Sequence, residues 1–295
     1  LNPWILLGLI VIVGALGACY WGAGVILHPP LMSRLETFPE QYGLRYEKAV
    51  FKTRDGLTLK GWWIPSPEGE SELRTLIMCH GWGDNKGELL KITHYLNEKA
   101  GFNLLYFDNR SHGESEGEVT TIGALETIDF DAAVNYLKEN KPENVKRLGV
   151  FGMSMGAAVA CMSVPDHPEV KAAVLESPFT DFRIVTRRWA WNNLYVPYFP
   201  LVPITMWFLR WKVSDPKVDT YSPIRFVAKI APRPLLIVGG SADRLMTESD
   251  VRRLYAAAAE PKQLWIIPGA AHAKCHDVGG LEYEARVTSF FNKNL

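Results

Sequence analysis

A serine between two glycines, then an aspartate, then a histidine are the residues of this chain whose types and order suit acyl transfer. Gly152-Met153-Ser154-Met155-Gly156 has the G-x-S-x-G spacing. Arg147-Leu148-Gly149-Val150-Phe151 before it reads as a buried strand, and Ala157-Ala158-Val159-Ala160 after it reads as the start of a helix. A serine on so sharp a strand-to-helix turn sits in strained backbone with its hydroxyl exposed, and glycines flank it because side chains there would collide. A serine hydroxyl is a weak nucleophile at its free pKa; it needs a base within hydrogen-bond reach, and the base needs an orienting acid. Gly240-Ser241-Ala242-Asp243 supplies the candidate acid, and Pro268-Gly269-Ala270-Ala271-His272 the candidate base. Their order after Ser154 is the Ser, acid, His order of the nucleophile elbow. Glu176 is the rival acid and His276 the rival base; His272 is preferred because it directly follows the Gly-Ala-Ala turn.

Attack on a carbonyl also requires donors for the oxyanion that develops, usually the largest single catalytic contribution. His80-Gly81-Trp82-Gly83 follows an apolar run at the upstream position where the second oxyanion amide belongs. The backbone N–H groups of Trp82 and Met155 are the candidate donors. Such chemistry calls for no metal or organic cofactor. Cys19, Cys79, Cys161 and Cys275 show no metal-ligand spacing and imply no disulfide framework.

These groups act together only if strands and loops carry them to one place. Lys48–Thr53 and Leu57–Ile64 read as strands around an Asp55-Gly56 turn, a hairpin signal. Further strands are predicted at Thr75–Cys79, Asn103–Phe107, Lys171–Leu175, Pro234–Val238 and Gln263–Ile267, with helices at Glu88–Lys99, Thr127–Lys138 and Leu281–Asn292. A hairpin followed by alternating strands and helices predicts an α/β fold, a mostly parallel sheet with helices on both faces. Asp243 and His272 then fall in loops at the carboxyl ends of strands, where open α/β sheets bind ligands. Residues 180–230 break the rhythm and are rich in aromatics with Arg187, Arg188, Arg210 and Lys212 among them, which predicts an inserted helical lid.

Trp4 to Leu27 carries no charge. As a helix it is long enough to span a bilayer, and Trp4, Tyr20 and Trp21 lie where interfacial aromatics often lie. The expected layout is a membrane anchor over 1–30, a connecting segment over 31–45, and a catalytic domain over 46–295 with the 180–230 lid. A cleaved signal peptide and a lipoprotein, from Leu16-Gly17-Ala18-Cys19, rank below the anchor. Gly14, Ala18 and Gly22 share one helix face that would admit weak self-association, although glycine is common in membrane helices anyway. Basic and acidic residues balance at 32 each. No basic stretch interleaves with aromatics in a way that suggests nucleic acid, which sets that partner aside.

Taken together, His80-Gly81-Trp82-Gly83, Asp108-Asn109-Arg110-Ser111-His112-Gly113-Glu114-Ser115, Gly152–Gly156, Gly240–Asp243 and Gly269–His272 resemble an α/β-hydrolase-fold serine hydrolase. Within that superfamily the chain is similar to the serine aminopeptidase/lysophospholipase-like branch, which includes membrane-anchored esterases. The resemblance implies that Asp108–Ser115 is a structural turn beside the site. One departure is Ala271, where that branch often has glycine. The expected substrate is a small-molecule ester, lipid-like or short in its acyl part. A serine peptidase of the same fold is the alternative, and a catalytically silent binding domain is the rival from another class.

Overall fold

The structure, a computed structural model, describes residues 2–29, 34–69, 71–215 and 217–295; part of the expected connecting segment, 31–33, lies outside them. The chain opens with α1 (Pro3–Leu27), capped by the Asn2 side chain, which accepts the Trp4 N–H. Proline at the first turn suits the start, and His28 and Pro29 follow its end. Among the described residues α1 is the one helix long and apolar enough to be a membrane anchor or a signal sequence.

The hairpin β1 (Glu47–Lys52) and β2 (Thr58–Ile64) precedes β3 (Thr75–Cys79), α2 (Lys86–Thr93), α3 (Tyr95–Glu98) and β4 (Asn103–Phe107). The expected single helix over Glu88–Lys99 is therefore two. It starts earlier because the Asn85 side chain accepts the Gly87 and Glu88 N–H groups. Next come α4 (Glu126–Asn140), β5 (Leu148–Met153), α5 (Met155–Ser163) and β6 (Val170–Glu176). The aromatic-rich stretch folds as α6 (Phe182–Leu194) and α7 (Leu201–Val213), and short turns lead to β7 (Leu235–Gly240), α8 (Glu248–Ala257), β8 (Lys262–Ile267) and α9 (Cys275–Asn294). The last helix begins earlier than Leu281 because it continues through a kink at Gly280 (φ 50°), a conformation open to glycine.

Among the described residues the strands form one sheet of eight, in the order β1-β2-β4-β3-β5-β6-β7-β8. The β1–β2 and β2–β4 pairs are antiparallel and all others parallel. Alternation along each strand sorts the core into two layers. Ile77 and Cys79 face one layer with α4, α5 and α8 residues such as Phe130, Val159 and Leu254. Leu76 and Met78 face the other with Leu89, Tyr95, Tyr283 and Phe291. Both faces of the central strands are buried, as expected of a parallel sheet. A third apolar cluster lies above the sheet, where Ala23, Ile26 and Leu27 of α1 pack with Val185, Val202, Met206 and Leu209 of α6 and α7.

Candidate active site

Ser154 joins β5 to α5 with φ 55° and ψ −114°, a region that non-glycine residues seldom occupy. The surroundings enforce it. A Cβ on Gly152 would lie 2.5 Å from the Gly156 carbonyl oxygen, and one on Gly156 would lie 2.1 Å from that of Cys79. Only glycine lets β3, β5 and α5 approach this closely. The Ser154 N–H donates to the Glu176 carbonyl oxygen (2.9 Å), which fixes the turn to β6.

The loops after β7 and β8 deliver Asp243 and His272. Ser154 Oγ is 2.9 Å from His272 Nε2, and His272 Nδ1 is 2.8 Å from Asp243 Oδ2. The other Asp243 oxygen, Oδ1, accepts the Leu245 and Met246 N–H groups, each at 2.8 Å. Asp243 thus closes its own turn and holds the imidazole at the same time. Left-handed φ values in the His272 loop fall on Gly269 (77°) and Ala273 (53°), so the alanine at 271 stands beside, not at, the positions that need permissive backbone.

Glu176 and His276 are engaged elsewhere. Glu176 is fully buried, accepts the Tyr283 hydroxyl hydrogen bond and, at 3.4 Å, the Cys275 N–H, and burial pushes its carboxyl above the usual range. It anchors the start of α9. His276 stacks on Tyr95 (centroids 5.9 Å apart) and approaches Glu284.

Met155 is the first residue of α5, so its N–H has no acceptor one turn back in the helix. The loop bearing Trp82 lies against the elbow: a Cβ on Gly81 would be 3.5 Å from Ser154 Cβ. Two buried imidazoles shape this loop. His112 Nδ1 lies 2.8 Å from the Arg110 carbonyl oxygen and Nε2 accepts the Gly83 N–H at 3.0 Å. His80 Nδ1 lies 2.7 Å from the Gly81 carbonyl oxygen and Nε2 accepts the Asn109 N–H at 3.0 Å. In both rings Nδ1 must donate and Nε2 must accept, which is the neutral tautomer. Burial works the same way, lowering His112 and pushing His80 down to about 3. Asp108 accepts the Lys86 backbone N–H (2.8 Å) and pairs with its ammonium (2.5 Å), and Arg110 pairs with Asp129 and Asp55. The Asp108–Ser115 turn is a framework for the loop above it.

Above Ser154 lies a cavity with about 730 Å3 of empty space, part of it open to solvent. Ser154, His272 and Thr186 supply its polar lining; Trp82, Met155, Phe179, Trp189, Leu245 and Met246 make up much of the rest. Val25 and Ile26 of α1 line it too. Sequence reasoning missed these two, because nothing in an uncharged run says where its last turn will dock. It also missed Glu126, whose buried carboxylate accepts hydrogen bonds from Thr120, Thr121 and the Gly123 N–H.

A strained serine elbow, a sheet of this topology and polar groups at its carboxyl edge define the class: an α/β-hydrolase fold, and the protein is a hydrolase. The serine aminopeptidase, S33, family matches residues 70–220, and the chain belongs to that family. It is 31% identical over 239 residues to protein YfhR of Salmonella typhi, covering 77% of this chain and 74% of that one. It is 30% identical over 247 residues to YqkD of Bacillus subtilis, covering 82% and 78%. Among solved structures, the Pyrococcus furiosus esterase Pf2001 superposes with a TM-score of 0.72 at 28% identity, covering 88% of this chain and 97% of that one.

Proposed function

We propose that the protein is a membrane-anchored serine esterase acting on carboxylic esters with an apolar acyl group. The observation that carries this reading is the unbroken relay from Ser154 Oγ through His272 to Asp243, at 2.9 and 2.8 Å, with its serine end facing an apolar cavity. His272 takes the Ser154 proton as the hydroxyl attacks the carbonyl, and Asp243 stabilises the imidazolium that forms. The Trp82 and Met155 amides receive the oxyanion. His272 then protonates the leaving alcohol, and water, activated by the same base, clears the acyl-enzyme.

Two features favour an ester over an aminoacyl substrate. Among the described residues the cavity lining includes no carboxylate to pair with an α-ammonium group, and burying an unpaired ammonium is costly. The structurally similar Pyrococcus protein is an esterase by name. Retention of α1 as an anchor is favoured over cleavage as a signal peptide because its last turn is built into the cavity.

The test is labelling with a fluorophosphonate probe, followed by a turnover screen of p-nitrophenyl esters beside aminoacyl amides. Labelling that vanishes in Ser154→Ala, with esters turned over faster than amides, is the expected result. A well-folded wild type that takes no label would favour a silent binding domain, and faster amide turnover would favour a peptidase.

A further inference from the structure

We infer that the last turn of α1 is a specificity element, a wall of the acyl pocket that limits how long an acyl chain the enzyme accepts. This rests on the esterase reading and goes beyond it, because it assigns a substrate-selecting role to the segment otherwise needed only as a tether. Three observations carry it. First, Val25 and Ile26 line the same cavity as Ser154 and His272. Second, the turn is held by directional bonds: the Trp82 indole N–H donates to the Ile26 carbonyl oxygen (3.2 Å), and the Thr120 N–H donates to that of Leu27 (2.8 Å). These carbonyls belong to the last turn of the helix, whose C=O groups have no partner within it. The residue whose backbone amide is assigned to the oxyanion therefore holds the anchor with its side chain. Third, Ala23, Ile26 and Leu27 are buried in one apolar cluster with α6 and α7, so α1 and the insertion form one packed roof.

The substrate chemistry follows from position. The uncharged run Trp4–Leu27 continues without a break into the turn that lines the pocket. Exposed Tyr20 of α1 lies against Phe208 and exposed Trp211 of α7, with the Lys212 ammonium over the tyrosine ring, and Trp21 and Trp207 are exposed as well. Such a mix of aromatics and cations suits the headgroup level of a bilayer. The roof of the pocket is thus the part of the molecule nearest the lipid phase, and the substrate class is an ester whose acyl chain partitions into the membrane.

The experiment compares kcat/KM for p-nitrophenyl octanoate and p-nitrophenyl acetate, using the full chain in detergent micelles. Ile26→Trp is expected to lower the octanoate-to-acetate ratio roughly tenfold or more, since one methylene in an apolar pocket is worth about tenfold and upward. Ile26→Ala, which only removes volume, is expected to raise it. Val11→Trp, on the exposed part of α1, should leave the ratio unchanged. A ratio within twofold of wild type in both Ile26 variants overturns the inference while leaving the esterase reading intact. Should Ile26→Trp fail to fold, Ile26→Ala decides alone. A wild type inert to both esters overturns both readings.

Discussion

The floor and the roof of the cavity differ in the balance of forces that hold them. The floor is made by the loops after β3, β5, β7 and β8, and directional bonds set it: a strained serine, neutral histidines donating and accepting at fixed nitrogens, and the buried Lys86–Asp108 pair. The roof is made by α1, α6 and α7, and its cluster of Ile26, Leu27, Val185, Val202, Met206 and Leu209 is set by apolar packing. Directional bonds also enter the roof: the Trp82 indole and Thr120 N–H groups hold the Ile26 and Leu27 carbonyls at the end of α1, and a second set joins α6 to α7. Buried Asp219 accepts from Arg183 of α6 and Arg210 of α7 and ties the two helices together. Hydrogen bonds fix angles as well as distances, whereas apolar burial counts area and tolerates sliding.

The sharpest test of this contrast is to remove the proposed nucleophile. Ser154→Ala is expected to reduce kcat by about 10^4-fold or more with an unchanged melting temperature. Substantial residual turnover in purified protein would show that the floor does not carry the chemistry. Asp243→Asn should cost about 10^3-fold in kcat, because the imidazole loses its orienting acceptor, while Glu176→Gln should cost less than about tenfold. A larger kcat loss in the second would return Glu176 to the relay.

Strain in the floor predicts a stability effect. Gly156→Ala places a Cβ 2.1 Å from the Cys79 carbonyl oxygen and should destabilise the fold by about 3 kcal/mol, the upper range for overpacking. A melting temperature equal to wild type would mean that β3 and α5 can part freely. The smallest effect per unit of pH concerns His80, whose pKa is held down to about 3 by burial against an ordinary value of 6.5. Between these values the unfolded chain binds the proton and the folded chain does not, so stability is complete above the higher value and is lost as pH falls toward the lower. His80→Gln should flatten the dependence of melting temperature on pH in that window, removing at most about 1.4 kcal/mol per pH unit. An identical slope would show that the ring is not buried neutral.

The floor was far more legible in the sequence than the roof. Gly152 to Gly156 announces a turn that only glycine permits, and strands such as Thr75–Cys79 and Asn103–Phe107 match their apolar runs to the residue. That Asp243 and His272 would lie near Ser154 was readable because strand ends and chain order constrain their positions. The docking of α1 was not, because apolar contacts between distant segments leave no local pattern; Val25 looks the same in a bilayer as in a pocket wall. The Lys86–Asp108 and Arg110–Asp129 pairs were hidden for a related reason: a buried charge pair is a property of two positions, and neither is informative alone.

Asp243 repays a last consideration. One of its oxygens caps a turn and the other meets the imidazole, so the carboxylate has no freedom to rotate. A longer acid at this position would keep the charge yet pull one of the two engagements out of register. Glutamate is thus expected to be a poor substitute here, and the side chain's length, as much as its acidity, is what selection must preserve.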